Sequence, residues 1–190
     1  MYRGLQFILF NYFVLCIWSV KVNSHKTDWE YVLLRFESNS TNPDIANFNV
    51  RTLRVSRGLY AINGTLFVGK DLDNTYSVDF RVYRSASGNS DFKATAYEIP
   101  TTTFYKFMTS FYVKMVQKDL QNCSNLPQHK DEFEGPLTAG VYECKKCIVT
   151  NDRMPGHAQP GLYKSVIHLF GDDIELWLSL YFEVSTKSFI

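Results

Sequence analysis

The sequence predicts an all-β protein, a sandwich or barrel of seven to eight antiparallel strands with one amphipathic helix. Three observations carry this. Apolar residues recur at every second position in several short segments, turn-forming clusters separate those segments, and one stretch alone has helical spacing.

The alternation is clearest in two places. In TYSVDFRVY, Tyr76, Val78, Phe80 and Val82 point one way while Ser77, Asp79 and Arg81 point the other. Near the C-terminus Ile174, Leu176, Leu178, Leu180, Phe182 and Val184 share a face opposite Glu175, Ser179 and Glu183. Antiparallel strands with one buried and one wet face have this pattern. Further strands are expected at 29–36, 48–55, 58–68, 92–99, 140–149 and 161–170. The clusters TNPD, GKDLDN, SASGNSD, MPGHAQPG and GDD separate them. So many short strands imply a sandwich or barrel.

The helix is expected from Thr102 to about Leu120. Phe104, Phe107, Phe111 and Met115 recur there at three- and four-residue spacing, with Met108 and Tyr112 alongside. Thr101–Thr103 can cap its start, and Pro100 stands just before. A Phe/Met stripe of this kind more often packs a core than lines a ligand site. The segment 121–137, polar and with two prolines, reads as an irregular surface loop.

The first residues, MYRGLQFILFNYFVLCIWSVKVNS, have the layout of a secretory signal peptide. Arg3 opens it, an apolar run follows from Leu5 to Trp18, and Val22 and Ser24 fit a cleavage site. The run is shorter than the roughly 20 residues of a membrane span; an uncleaved signal anchor is the alternative. The expected organisation is therefore a leader over 1–24 and one domain over 25–190, in an extracellular protein without stable membrane insertion. Three N-x-Ser/Thr triplets, at Asn39, Asn63 and Asn122, are candidate glycosylation sites in such a compartment.

Charge excludes one class of partner. The chain has 20 Lys+Arg against 19 Asp+Glu, and two of those bases, Arg3 and Lys21, lie in the leader. No basic surplus remains to bind nucleic acid. Aromatic residues make up 16% of the chain, which fits either a thick core or a greasy cavity.

Cys16 leaves with the leader, so Cys123, Cys144 and Cys147 remain. In an oxidising compartment two of them are expected to bond. The flanks of Cys-Lys-Lys-Cys are strand-like, unlike a redox pair at a helix start. Residues three apart in a strand face opposite sides, so Cys144 and Cys147 are poorly placed to bond each other. The favoured pair is Cys123 with Cys147 (or Cys144). A zinc site would need a second ligand pair, and no metal or other cofactor is expected.

Enzyme motifs are absent: no G-x-S-x-G elbow, no H-E-x-x-H, no phosphate-cradling loop. His25, His129, His157 and His168 are scattered, and Asp131-Glu132 and Asp172-Asp173 sit in turns or loops. The expectation is a protein that is not an enzyme.

The segment GPLTAGVYECKKCIVTNDRMPGHAQPGLYKSVIHLF resembles the C-terminal half of the ganglioside-activator type of lipid-binding protein. Pro136, Gly140, Tyr142, Pro155, Gly161 and Tyr163 carry the likeness. Upstream, GLYAINGTLFVGKDLDNTYSVDFRVYRSASG is similar to a motif of secreted insect proteins that include the CheB chemosensory family. The likeness covers most of residues 30–185. It implies the ML lipid-recognition fold, an immunoglobulin-like β-sandwich opened into a cup, with acyl chains or sterols between the sheets. Gly135 stands where the activator-type motif has a cysteine, so that family's disulfide set does not carry over.

The expected function is a secreted, non-enzymatic carrier or presenter of hydrophobic ligands, lipids or pheromones like cuticular hydrocarbons, in contact chemosensation. Its partners would be a hydrophobic small molecule or lipid, and a chemosensory receptor or ion channel. The alternative is an accessory protein that docks on a receptor or channel with its cup filled by its own side chains. A secreted hydrolase without a recognisable motif is a third reading. Candidate cavity residues are Tyr76, Val78, Phe80, Val82, Phe104, Phe107, Met108, Phe111, Ile174, Leu176, Leu178, Leu180 and Phe182. Among them Phe104, Phe107, Met108 and Phe111 would meet the ligand only if the helix lay over the mouth as a lid; otherwise they are core.

Overall fold

The structure, a computed structural model, describes residues 27–187, so the expected leader lies outside the described residues. Eight strands form: β1 (Trp29–Ser40), β2 (Ala46–Ser56), β3 (Leu59–Val68), β4 (Ser77–Ser85), β5 (Lys93–Thr103), β6 (Gly140–Cys147), β7 (Gly161–Phe170) and β8 (Glu175–Thr186). A helix, α1, covers residues 104–120 between β5 and β6. The strands make two antiparallel sheets, ordered β1-β8-β7-β4-β5 and β2-β3-β6. This is the all-β sandwich with one helix that the alternation predicts.

The two sheets face each other and are joined differently on their two sides. On one side the chain passes from β1 into β2, and the Ser38 and Ser40 hydroxyls donate to the Phe48 and Ala46 carbonyls. On the other side α1 leaves β5 without an intervening loop and ends at β6. The Cys123–Cys147 disulfide and the Lys145 N–H donated to the Cys123 carbonyl (2.8 Å) fasten it there. The helix is thus a wall between the sheets.

The helix starts two residues later than its spacing implies, because β5 stays paired with β4 through Thr103, opposite Ser77. Thr103 occupies the cap position, but its hydroxyl makes no capping bond. The first free N–H groups go elsewhere: Phe104 donates to the Tyr76 carbonyl and Tyr105 to Asn74 Oδ1, both at 3.0 Å. Pro100 lies within β5, an edge strand, near a register shift between Val78 and Phe80 where a missing donor costs little.

Over Met108–Val116 the helix is a π-helix, with the Gln117 N–H reaching back to the Tyr112 carbonyl. Its wider winding spreads the three- and four-residue stripe. Phe104, Phe107, Met108 and Tyr112 are buried, whereas Phe111, Met115 and Val116 are half-buried.

The segment 121–137 is not a plain surface loop. Phe133 is buried edge-on against Phe104, with ring centroids 5.8 Å apart. Leu137 is buried and exchanges backbone hydrogen bonds with Leu72. Gln117 and His129 trade hydrogen bonds, and the Tyr112 hydroxyl donates to the Pro127 carbonyl. Two large apolar side chains in a polar stretch are enough to fold it down. At Gly135 a Cβ would lie 2.3 Å from the Tyr105 ring, so the residue that departs from the activator-type motif makes room for an aromatic side chain.

The expectation for the two cysteines of β6 is corrected. On β3, Ile62 pairs with Cys147 and Gly64 with Cys144, so one residue of β3 faces two of β6. Lys146 takes the extra place with φ of 55°, a β-bulge. The bulge restores parity, so Cys144 and Cys147 face the same way, toward the core. Gly64 has φ of 149°, and a Cβ there would meet the Asn49 carbonyl oxygen at 2.1 Å. Only glycine fits.

Candidate ligand cavity

Alternation alone would fill the space between the sheets with one continuous core. The structure has two. The larger cluster holds Leu72, Val78, Phe104, Phe107, Leu137, Ile174 and Leu176 among others; the smaller is built on Trp29, Val82, Tyr163 and Val184. Between them lies a cavity of about 210 Å³ whose lining comes from both sets.

The cavity's walls follow from the strands. On β8 the flanking Leu176 and Val184 are each 2% exposed, whereas Leu178, Leu180 and Phe182 between them on the same face are only half-buried. They face the void instead of a neighbour. Phe80 on β4 and Ile167 on β7 continue that wall, and Ile62 on β3 stands opposite. Phe111 and Val116 are the contribution of α1, with the Phe111 ring 5.0 Å from Phe80. On β1 the pairing with β8 skips between Leu33 and Arg35, which leaves Leu34 as an exposed bulge residue. The skip turns Phe36 inward beside Leu33 and Tyr31.

The far end is closed by the chain after β6. The Tyr31 hydroxyl donates to the Val149 carbonyl, the Trp29 indole N–H to the Pro155 carbonyl (2.8 Å), and the Asn151 amide to the Trp29 carbonyl (2.7 Å). Asp119 accepts from the Thr150 N–H at 3.0 Å and holds the Arg153 guanidinium at 3.6 Å. These bonds seat Val149 and Met154 on the cavity. Burial first, and then the Asp119 carboxylate, push the Tyr31 hydroxyl up to about 12, so it stays a hydrogen-bond donor at any physiological pH.

Of the candidate cavity residues, from strand alternation and from the helix stripe, the structure places Phe80, Phe111, Leu178, Leu180 and Phe182 on the cavity. Tyr76, Val78, Phe104, Phe107, Met108, Ile174 and Leu176 belong to the larger closed cluster, and Val82 to the smaller. The helix therefore does not lie across the mouth with Phe104, Phe107 and Met108 on a ligand; it offers Phe111 and Val116. Trp29, Tyr31, Leu33, Phe36 and Ile167 went unnamed as cavity residues. Alternation puts Trp29, Tyr31 and Leu33 on one face of β1 and Ile167 on the inner face of β7, whereas Phe36 turns inward only through the bulge. Nothing in the alternation separates a residue facing a void from one facing a neighbour.

The remaining sequence candidates fall in plain places. Cys123 and Cys147 are bonded, with Cα atoms 5.4 Å apart, and Cys144 is the free cysteine among the described residues. Burial raises the pKa of the Cys144 thiol, which makes it a poor nucleophile. Asn39 and Asn122 are exposed, while Asn63 is half-buried in β3 opposite Arg51. His168 lies parallel to Trp177 at 4.7 Å with Asp79 at 3.4 Å, on the face of the larger sheet away from the cavity. Among the described residues no group of three or more His, Cys, Asp or Glu is gathered as a metal site requires. Nor is any helix there long and apolar enough to cross a membrane.

A wider depression of about 580 Å³ lies between the β4–β5 turn and residues 157–159. Arg84, Asp91, Lys93 and His157 line it, and it is open and charged. An apolar ligand there would lie against charged groups that keep their water, so it gains less than between the sheets.

Residues 78–165, which run from β4 into β7 and include α1 and the disulfide, match the family described as a protein of unknown function, DUF1091. No curated protein matches the chain.

Proposed function

We propose that the chain is a secreted, non-enzymatic carrier or presenter of a hydrophobic ligand, held in the cavity between the two sheets. The observation that carries this is the interruption of the core: fifteen residues line one void, and Ser165 is the one among them with a small polar side chain. An empty apolar void of this size forfeits dispersion contacts all round its wall. A hydrocarbon chain restores them, and each buried methylene adds about 0.8 kcal/mol.

Other observations support the wider reading. The leader-like N-terminus, the three glycosylation triplets and the disulfide fit an extracellular life. Pro136, Gly140, Tyr142, Pro155, Gly161 and Tyr163, which carry the resemblance to lipid-binding proteins, all fall inside the matched segment 78–165. A role in contact chemosensation, with a receptor or ion channel as partner, is what likeness to the CheB family adds.

The second reading is an accessory protein that docks on a receptor without cargo. Closure of both core clusters by the protein's own side chains favours it, as does a cavity below the ~300 Å³ usual for drug-sized ligands.

Native mass spectrometry of protein secreted from insect cells, before and after organic extraction, separates the two. The carrier reading expects a removable lipid-sized mass, or uptake of the apolar dye N-phenyl-1-naphthylamine by the extracted protein. It also expects Leu180→Trp to abolish dye uptake while the folded signal persists. A bare mass together with no dye uptake overturns it in favour of docking.

A further inference from the structure

Tyr31 closes the inner cavity at one end. Beyond it lies a second void of about 270 Å³, lined by Glu30, Gly58–Tyr60 and residues 148–152, and both voids share Tyr31, Leu33 and Val149 as a common wall. The Tyr31 hydroxyl, bonded to the Val149 carbonyl, stands between them. An engineered cavity of about 150 Å³ takes the six carbons of benzene, so the inner void alone takes about eight. With the outer one the space comes to roughly 500 Å³, within the range of small-molecule sites.

The two halves differ in chemistry. The inner wall is apolar. The outer void, or vestibule, has Leu59 and Ile148 on it, both exposed, but also Thr150, Asn151 and Asp152; Glu30 is at its edge, with its carboxylate met by the Ser185 hydroxyl (3.5 Å) on the other face of β1. No Lys or Arg lines it. Arg153, next in the chain, is turned away to Asp119 and the Met115 carbonyl. A negative, hydrogen-bonding mouth on a greasy pocket selects a head as well as a tail.

We propose that the site takes a single-chain lipid with an uncharged, hydrogen-bonding head, an alcohol or an ester, and rejects the carboxylate of the same length. The tail passes Tyr31 into the inner cavity, the Tyr31–Val149 bond opening for it, and the head stays in the vestibule beside Asp152. This rests on the carrier reading and narrows it. A unit charge about 6 Å from an anion in water-like surroundings disfavours it about threefold.

The test is displacement of N-phenyl-1-naphthylamine by decan-1-ol and by decanoate, at about pH 8 and low salt, on the full mature chain. The alcohol is expected to displace the dye at a concentration about threefold lower. In Asp152→Asn the gap between the two curves is expected to close. Decanoate binding as well as or better than the alcohol overturns the proposal and leaves the carrier reading standing. A preference that Asp152→Asn does not reduce overturns the placement of the head. Dye uptake that neither compound reverses overturns this assignment alone, and no dye uptake at all overturns the carrier reading with it.

Discussion

Tyr31 does three jobs with one side chain. Its ring lines the cavity and the vestibule, its edge meets Phe182 (centroids 6.0 Å apart), and its hydroxyl ties β1 to the chain after β6. Its raised pKa, about 12 against a usual 10, gives a stability prediction. The folded state keeps a proton that the unfolded chain begins to release near pH 10. The tyrosine's contribution is therefore whole below about 10 and lost as pH climbs toward 12, by about 2–3 kcal/mol in all. Tyr31→Phe should be less stable by about 1 kcal/mol at pH 8, where only the hydrogen bond is missing. The difference should close and then reverse above pH 10, as melting temperatures from pH 8 to 12 would show. A gap that stays constant with pH would mean the hydroxyl is not buried as described.

At the scale of elements, the helix and β6 depend on each other. The helix is largely π-helical, a form that is rare beyond a single turn. Its hold on the sandwich comes from buried aromatic side chains at the start and from the disulfide at the end. The disulfide closes a loop of 24 in sequence separation, which corresponds to about 3.5 kcal/mol of chain entropy in the unfolded state. Cys123→Ser/Cys147→Ser should lower stability by about 2–4 kcal/mol in denaturant unfolding. The loss should come with faster hydrogen exchange in α1 and β6 and little change in β7 and β8, which pair along their whole length. Exchange that rises evenly over all strands would show instead that the disulfide acts on the whole domain.

For the whole molecule, the two sheets are filled at their ends and hollow between. Affinity for straight-chain alcohols should therefore rise about fourfold per methylene. The rise should stop where the two voids are full, at roughly twenty carbons. A series of dye displacements read against chain length checks this. A plateau already near eight carbons would mean that the Tyr31–Val149 bond does not open, and that the vestibule is a separate hollow. Leu180→Trp, which fills the cavity and leaves no dye to displace, should cost no more than about 3 kcal/mol in denaturant unfolding, the usual limit for overpacking.

Much of this protein is determined by its sequence alone. Period-2 alternation places all eight strands to within a few residues, because a half-buried strand cannot avoid writing its burial into every second position. The pairing of Cys123 with Cys147 is also among the expected ones, although Cys144 and Cys147 do not face opposite sides as an unbroken strand would have them. What only the tertiary structure decides are the features that break a period. The β1 bulge at Leu34 and the αL residue Lys146 each add one residue and flip a face, bringing Phe36 inward and setting Cys144 beside Cys147. On the π-helix Phe107 and Phe111 stay stacked, 5.2 Å apart, yet Phe107 is sealed in the core and Phe111 reaches the cavity. The cavity is the plainest case. Leu176 and Leu178 are the same residue type on the same face two positions apart, one sealed in core and the other on a void. A side chain's sequence records that it leaves water; the chain arriving opposite it decides whether it touches protein or empty space.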